Sequence, residues 1–130
     1  MNNSKRDDTI LAVDDQENMC WILSKILSYA GFSVKTASTA KEAISIANEN
    51  KISVAIIDYR LPDSNGFDLF LNLRKQNENL PCLLITSYGS SKLREEAFKL
   101  GFDAYFDKPF DNGVLIATLK KSLNIRVWCS

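Results

Sequence analysis

The chain has 130 residues, 45% hydrophobic and 25% charged, and its sixteen basic residues balance sixteen acidic ones. That length suits one domain with its own core, and the balance lacks the basic excess of a nucleic-acid binder and the acidic run of a solvated tail. The absence of histidine excludes Ser-His-Asp and Cys-His catalysis and the usual zinc sites; the three cysteines form no Cys-x-x-Cys pair, so Cys20 and Cys82 read as small buried hydrophobes of a reducing compartment.

Residues 1–8 are polar and carry no apolar signal core, so a disordered leader is expected there. No run approaches the ~20 apolar residues of a membrane span, which leads to the expectation of a soluble, cytoplasmic protein. Residues 9–13, TILAV, read as a first strand ending at Asp14 and Asp15. Met19, Ile22, Leu23, Ile26, Leu27 and Ala30 then recur at three- and four-residue steps, an amphipathic helix stopped by Gly31. Residues 32–36 alternate polar with apolar, as an edge strand does. Thr39 and Glu42 have the spacing of a capping box and open a helix through Ala43, Ile44 and Ala47.

The run 52–66, ISVAIIDYRLPDSNG, places a carboxylate, Asp58, on the end of an apolar strand over 54–57. A buried carboxylate is costly unless it is paired or binds a metal. Asp58 therefore either meets water at the strand mouth or serves chemistry. Asn65 or Gly66 starts a helix carrying Phe67, Phe70, Leu71 and Arg74. A fourth strand, 82–85, leads to Thr86 and Ser87. A helix over 91–100 stops at Gly101. A fifth strand, 104–106, leads to Asp107, Lys108 and Pro109, and Asp111 caps a last helix with Leu115, Ile116, Leu119 and Leu123.

Strand then helix, five times over, with continuous apolar strands, indicates a parallel sheet covered on both faces. Right-handed crossovers make it a doubly wound α/β fold. The edge-like second strand predicts the order 2-1-3-4-5, a flavodoxin-like (βα)5 arrangement. Ligands of such sheets bind at the carboxyl ends of the strands, where the strand order switches. Asp14 and Asp15 from strand 1 and Asp58 from strand 3 converge there, beside Thr86 and Lys108. Two like charges ~4 Å apart repel by about 4 kcal/mol at an effective dielectric near 20, so this cluster raises a pKa or captures a cation. Hard oxygen ligands favour Mg²⁺, or Mn²⁺ in its place. Asp58 is a candidate nucleophile, because carboxylates form aspartyl-phosphate intermediates. Phosphoryl transfer needs charge neutralisation above all, from the cation and Lys108, with a Thr86 hydroxyl to donate to a phosphoryl oxygen. Singly, an Asp after a strand is most often a cap or turn residue; the joint pattern carries the weight.

These residues give the chain a family resemblance. Asp14-Asp15 in LAVDDQENM, Asp58 in IIDYRLPDSNG, Thr86-Ser87 in LLITSYG and Lys108-Pro109 in YFDKPF resemble the motifs of receiver domains of two-component response regulators, over about 9–123. The resemblance implies that Asp58 accepts a phosphoryl group from a histidine kinase or histidine phosphotransfer protein. It implies that Asp15, Asp58 and the backbone carbonyl of Arg60 bind Mg²⁺ directly, with Asp14 acting through water, and that Lys108 pairs with the phosphoryl group. A cis Lys108–Pro109 bond is usual in the family. Thr86 and Tyr105 would form a switch, and an output domain or target would read it on the face of helix 4, strand 5 and helix 5. Such a domain catalyses only its own phosphorylation and dephosphorylation, binds neither nucleic acid nor membrane itself, and can dimerise on phosphorylation.

Arg60 and Tyr88 stand two residues past Asp58 and Thr86. They are expected to hinder the hydrolytic water and prolong the phosphorylated state, unless both point to solvent. A rival is an Asp-nucleophile phosphatase of the haloacid dehalogenase type, whose second acid stands two residues on; in this chain that place holds Arg60, which does not deprotonate. A flavin carrier shares the strand order but needs a Gly-rich phosphate loop after strand 1. Residues 124–130 read as a tail or linker stub. The chain either stands alone or forms the first module of a longer regulator; the balance leans slightly to the module, and the sequence leaves both open.

Overall fold

A computed structural model of the protein describes residues 8–129, so the leader expected over 1–8 lies outside the described residues apart from Asp8. Five strands alternate with five helices: β1 (Thr9–Val13), α1 (Glu17–Tyr29), β2 (Ser33–Ala37), α2 (Ala40–Glu49), β3 (Val54–Asp58), α3 (Gly66–Gln76), β4 (Cys82–Thr86), α4 (Ser91–Leu100), β5 (Ala104–Asp107) and α5 (Asn112–Cys129). All neighbouring strands pair in parallel, in the order β2-β1-β3-β4-β5. This is the doubly wound sheet that the apolar runs predict.

The two-residue period of the strands divides the core. Leu11, Val13, Ala55, Ile57 and Leu84 point to one face, where Ala43 of α2, Leu69, Phe70 and Leu73 of α3 and Ala97 of α4 cover them. Ile10, Ala12, Val54, Ile56, Leu83 and Ile85 point to the other, against Leu23 and Leu27 of α1 and Leu115, Leu119 and Leu123 of α5. β2 alternates because it is the sheet edge, and of its residues only Ala37 is buried.

The caps follow the sequence signals with one difference. Thr39 accepts from the Glu42 N–H at 3.1 Å, but the Glu42 carboxylate reaches back to the Ser38 N–H, one residue earlier than a capping box requires. Asn65 caps α3 through the Asp68 N–H, and Asp111 caps α5 through the Val114 N–H. Gly31, at φ +100°, ends α1 as expected. Three strands run one residue beyond their apolar runs, to Asp58, Thr86 and Asp107. Backbone pairing does not depend on side-chain polarity, and the ladder continues with Tyr59 N–H to the Ile85 carbonyl and Lys108 N–H to the Thr86 carbonyl. Two helical residues fall outside their expected stripes: Ile22 and Leu71 are exposed, because the sheet-facing stripes run through Leu23 and Leu27 and through Leu69, Phe70 and Leu73. Helix α5 continues through Cys129 and takes in most of the stretch read as a tail.

Opposite the carboxyl ends, Arg74 locks three segments together. Its Nε donates to the Leu80 carbonyl at 2.7 Å, its Nη2 to the Gly101 carbonyl at 3.3 Å, and its guanidinium lies 4.6 Å from the Phe70 ring centroid. Asp103 meets the same guanidinium at 3.5 Å and accepts from the Cys82 N–H at 2.9 Å. Replacing Arg74 with Met should cost about 1–3 kcal/mol in urea unfolding with an unchanged denaturant slope, because two carbonyls lose their donors. A loss below about 0.5 kcal/mol would mean that water replaces the guanidinium at no cost.

Candidate functional site

Strands β1 and β3 lie side by side, so their carboxyl ends bring the acidic residues together. One carboxylate oxygen from each of Asp14, Asp15 and Asp58 lies within 4.8 Å of the others. Asp14 is fully buried and Asp58 nearly so, while Asp15 is exposed. Lys108, just past β5, reaches across β4 and places its ammonium 2.7 Å from Asp14 Oδ2 and 3.1 Å from Asp58 Oδ2. Its side chain is only 7% exposed, so this is a buried bridge between two acids. The other Asp14 oxygen accepts from the Gln16 N–H at 2.9 Å, and the other Asp58 oxygen lies 3.4 Å from the Arg60 N–H.

Burial pushes the Asp58 carboxyl up from its ordinary value, and the neighbouring Asp14 charge adds to this against the pull of Lys108. Burial pulls Lys108 down, but its bonds and charge contacts with Asp14 and Asp58 outweigh that, and its net direction is up. The cluster thus holds three acids against one ammonium. Its donors are all oxygen, one of them exposed, a set that fits a hard divalent cation such as Mg²⁺.

Gly66 packs against the backbone at the end of β3. A Cβ there would lie 2.8 Å from the Asp58 carbonyl oxygen and 3.0 Å from Tyr59 Cα, so the first turn of α3 packs against the end of β3 only without a side chain.

Thr86 is fully buried, and its hydroxyl accepts from the Tyr88 N–H at 3.0 Å, leaving its own proton outside that bond. In the parallel register Thr86 pairs with Asp107 and Leu84 with Tyr105. The half-buried Tyr105 ring lies against the core, and its hydroxyl donates to Asp107 Oδ1 at 2.9 Å. Gly89 covers this pair: a Cβ there would collide with both the Tyr105 hydroxyl and the Asp107 carboxylate. The loop between β4 and α4 therefore rests directly on Tyr105. The Lys108–Pro109 bond is cis.

Arg60 and Tyr88 are both exposed, but they do not point apart. The Arg60 guanidinium stacks 4.0 Å from the Tyr88 ring centroid and joins the loops that follow β3 and β4. Cys82 is buried, with its thiol pushed up to about 12 by burial. Cys20 is only partly buried, and its thiol donates to the Asp14 carbonyl at 3.2 Å beside the site.

Two residues of the site region escape sequence reasoning. Asp107 looks like a turn residue, and its bond to Tyr105 needs the strand to run one residue past the apolar segment. Asp63, in the loop after Asp58, accepts from the N–H groups of Ala40 and Lys41 at 2.9 and 3.0 Å and so caps α2 from outside the helix. Its one sequence signal is a cap-forming residue with no helix start of its own.

Comparison with known proteins agrees with this fold. Residues 10–120 match the family model of the response regulator receiver domain. The transcriptional regulatory protein FixJ of Rhizobium meliloti is 32% identical over 116 residues, which are 89% of this chain and 57% of that protein. The transcriptional regulatory protein CusR of Escherichia coli is 34% identical over 114 residues, 88% of this chain and 50% of that protein. The chain thus spans about half the length of the curated relatives it matches. Among solved structures, a CheY-like receiver domain protein from Methanospirillum hungatei superposes with a TM-score of 0.90 at 26% identity, covering 96% of this chain and 100% of that one. The chemotaxis protein CheY4 of Vibrio cholerae gives a TM-score of 0.84 at 30% identity, covering 91% and 100%.

Proposed function

The chain belongs to the receiver-domain family of two-component response regulators, and from that premise we propose that Asp58 takes a phosphoryl group from a phosphohistidine of a sensor kinase or phosphotransfer protein. The observation that carries this reading is the meeting of Asp14, Asp15 and Asp58 within 4.8 Å, with Lys108 bridging two of them. The matches give no support to the rival phosphatase.

In the proposed reaction a carboxylate oxygen of Asp58 attacks phosphorus. The new O–P bond replaces the N–P bond, and the departing imidazole takes up a proton. Asp15, Asp58 and the Arg60 carbonyl would hold Mg²⁺ or Mn²⁺, which when bound supplies charge neutralisation for the transferring group. Asp14 is buried with both oxygens engaged, which supports an outer role through water. Lys108 already touches Asp58 and is placed to follow the charge onto the phosphoryl oxygens. The test is mass measurement after incubation with a small phosphodonor and Mg²⁺, with the wild type beside Asp58→Asn.

Phosphorylation adds about −1.5 to −2 charge, which draws the Thr86 hydroxyl from the Tyr88 N–H toward the phosphoryl oxygens. Tyr105 would then leave Asp107 and turn inward, releasing the loop that rests on it. The surface of α4, β5 and α5 carries exposed Phe98 and Val114, which supports its use as the face read by an output domain, a target or a second receiver. Attachment to an output domain, as a module of a longer regulator, is part of this proposal.

The Arg60–Tyr88 stack supports a slow loss of phosphate. If water must part the stack to reach the phosphoryl group, an exposed cation–π contact of about 0.5–1 kcal/mol corresponds to a rate difference of roughly two- to fivefold. Tyr88→Ala should therefore shorten the phosphorylated lifetime by about that factor, and Tyr88→Phe should retain it. Unchanged decay in Tyr88→Ala would remove the stack from this role.

A further inference from the structure

The loop over 59–65 follows the phosphoacceptor and carries the Arg60 carbonyl assigned above to the metal. Its base is closed by its own backbone: the Gly66 N–H donates to the Tyr59 carbonyl at 2.7 Å, and Arg60 and Asn65 form an antiparallel bridge. The hairpin thus holds its own shape, and buried Leu61 seats one side of it in the core. Its tip also meets α2 through Asp63, whose two carboxylate oxygens each take one backbone N–H, from Ala40 and Lys41, at 2.9 and 3.0 Å. Helix α2 is already capped by Thr39, so it does not need Asp63 to begin. The bidentate contact instead ties the hairpin to a helix that packs on the sheet through Ala40 and Ala43.

We infer that Asp63 is a positioning residue for cation binding, one that works with buried Leu61 to set the tilt of the 59–65 hairpin by clamping its tip to the first turn of α2. The inference rests on the receiver reading above and assigns a role to a residue outside the acidic cluster. The two backbone N–H bonds also hold the Asp63 carboxyl below its ordinary value, as a carboxylate seated on a helix start requires. Coupling is reciprocal: if the clamp helps the hairpin present its carbonyl, a bound cation must in turn tighten the clamp.

The test is calorimetric titration of the whole chain with MgCl2, together with amide exchange at Ala40 and Lys41 with and without Mg²⁺. Asp63→Ala should weaken Mg²⁺ binding about fivefold, at the low end of ordinary coupling between sites. Asp63→Asn keeps one acceptor oxygen and folds if any variant does; it should fall between that variant and the wild type. Thr39→Ala removes the helix's own cap without touching the hairpin and should hold the wild-type affinity within about a factor of two. Mg²⁺ should slow exchange at Ala40 and Lys41 in the wild type and not in Asp63→Ala. Wild-type affinity in both Asp63 variants, or an equal loss in Thr39→Ala, would overturn the inference and leave the receiver reading intact. No Mg²⁺ binding by the wild type would overturn both.

Discussion

Asp58→Asn should abolish Mg²⁺-dependent phosphate uptake from a small phosphodonor while making the metal-free protein more stable. The first effect follows from the nucleophile: an amide oxygen carries no charge to attack phosphorus, Asp14 also meets Lys108 but is fully buried with both oxygens bonded, and Asp15 lies exposed at the rim of the cluster. The mass spectrum should show a phosphorylated species in the wild type and only background in the variant. Equal uptake by both would remove Asp58 from its assigned role. The second effect follows from the raised carboxyl. Burial and Asp14 make the ionised form of Asp58 costly in the folded state. Between the ordinary value of 3.8 and the raised one, the folded protein therefore holds a proton that the unfolded chain has lost. Stability from this group falls as pH rises through that window and stays reduced above it. At neutral pH the variant escapes this penalty and should gain on the order of 1–2 kcal/mol, a rise of roughly 3–8 °C in the unfolding midpoint. The gain should shrink as pH falls through the same window, and a difference that does not change with pH would contradict the electrostatic cause.

Lys108→Met should be the most destabilising single change at the site. The substitution leaves a side chain of similar length without its ammonium, so two buried acids lose their shared partner. Breaking a buried pair by removing one member typically costs about 3–5 kcal/mol. Because the cost lies in uncompensated negative charge, two treatments should reverse it. Saturating Mg²⁺ should raise the variant's unfolding midpoint by more than it raises the wild type's, since the cation then fills the electrostatic role of the lysine. Combination with Asp58→Asn should also cost less than the sum of the two single effects, because one of the stranded charges is gone. Chemical denaturation of the four proteins with and without Mg²⁺ measures both. A loss under about 1 kcal/mol, or additive effects, would show that the ammonium is not holding the acids together.

The architecture was legible in the chain because its signals are local. The uninterrupted apolar runs before Asp14, Asp58 and Thr86 can only be central strands, and the glycines after α1 and α4 end helices by a backbone conformation that other residues resist. The strand order followed from the one alternating strand, β2. From that order came the approach of Asp14, Asp15 and Asp58. What stayed hidden depends on side-chain direction. Cys20 reads as a core residue, yet it bonds a carbonyl of the site because α1 begins directly above it. Arg60 and Tyr88, 28 positions apart, become a stacked pair because β3 and β4 are neighbours. No periodicity marks Asp63 or Asp107, since each acts on a partner from another turn or strand position.

The amino-acid order alone thus determined which residues meet at the carboxyl ends of the strands and which elements deliver them, because hydrophobic period and capping are properties of short segments. Only the tertiary structure decided the pairings: Lys108 with Asp14 as well as Asp58, and Asp63 with the start of α2. Those are contacts of a few ångströms between distant positions, and they exist only once the sheet has set the ends of its strands side by side.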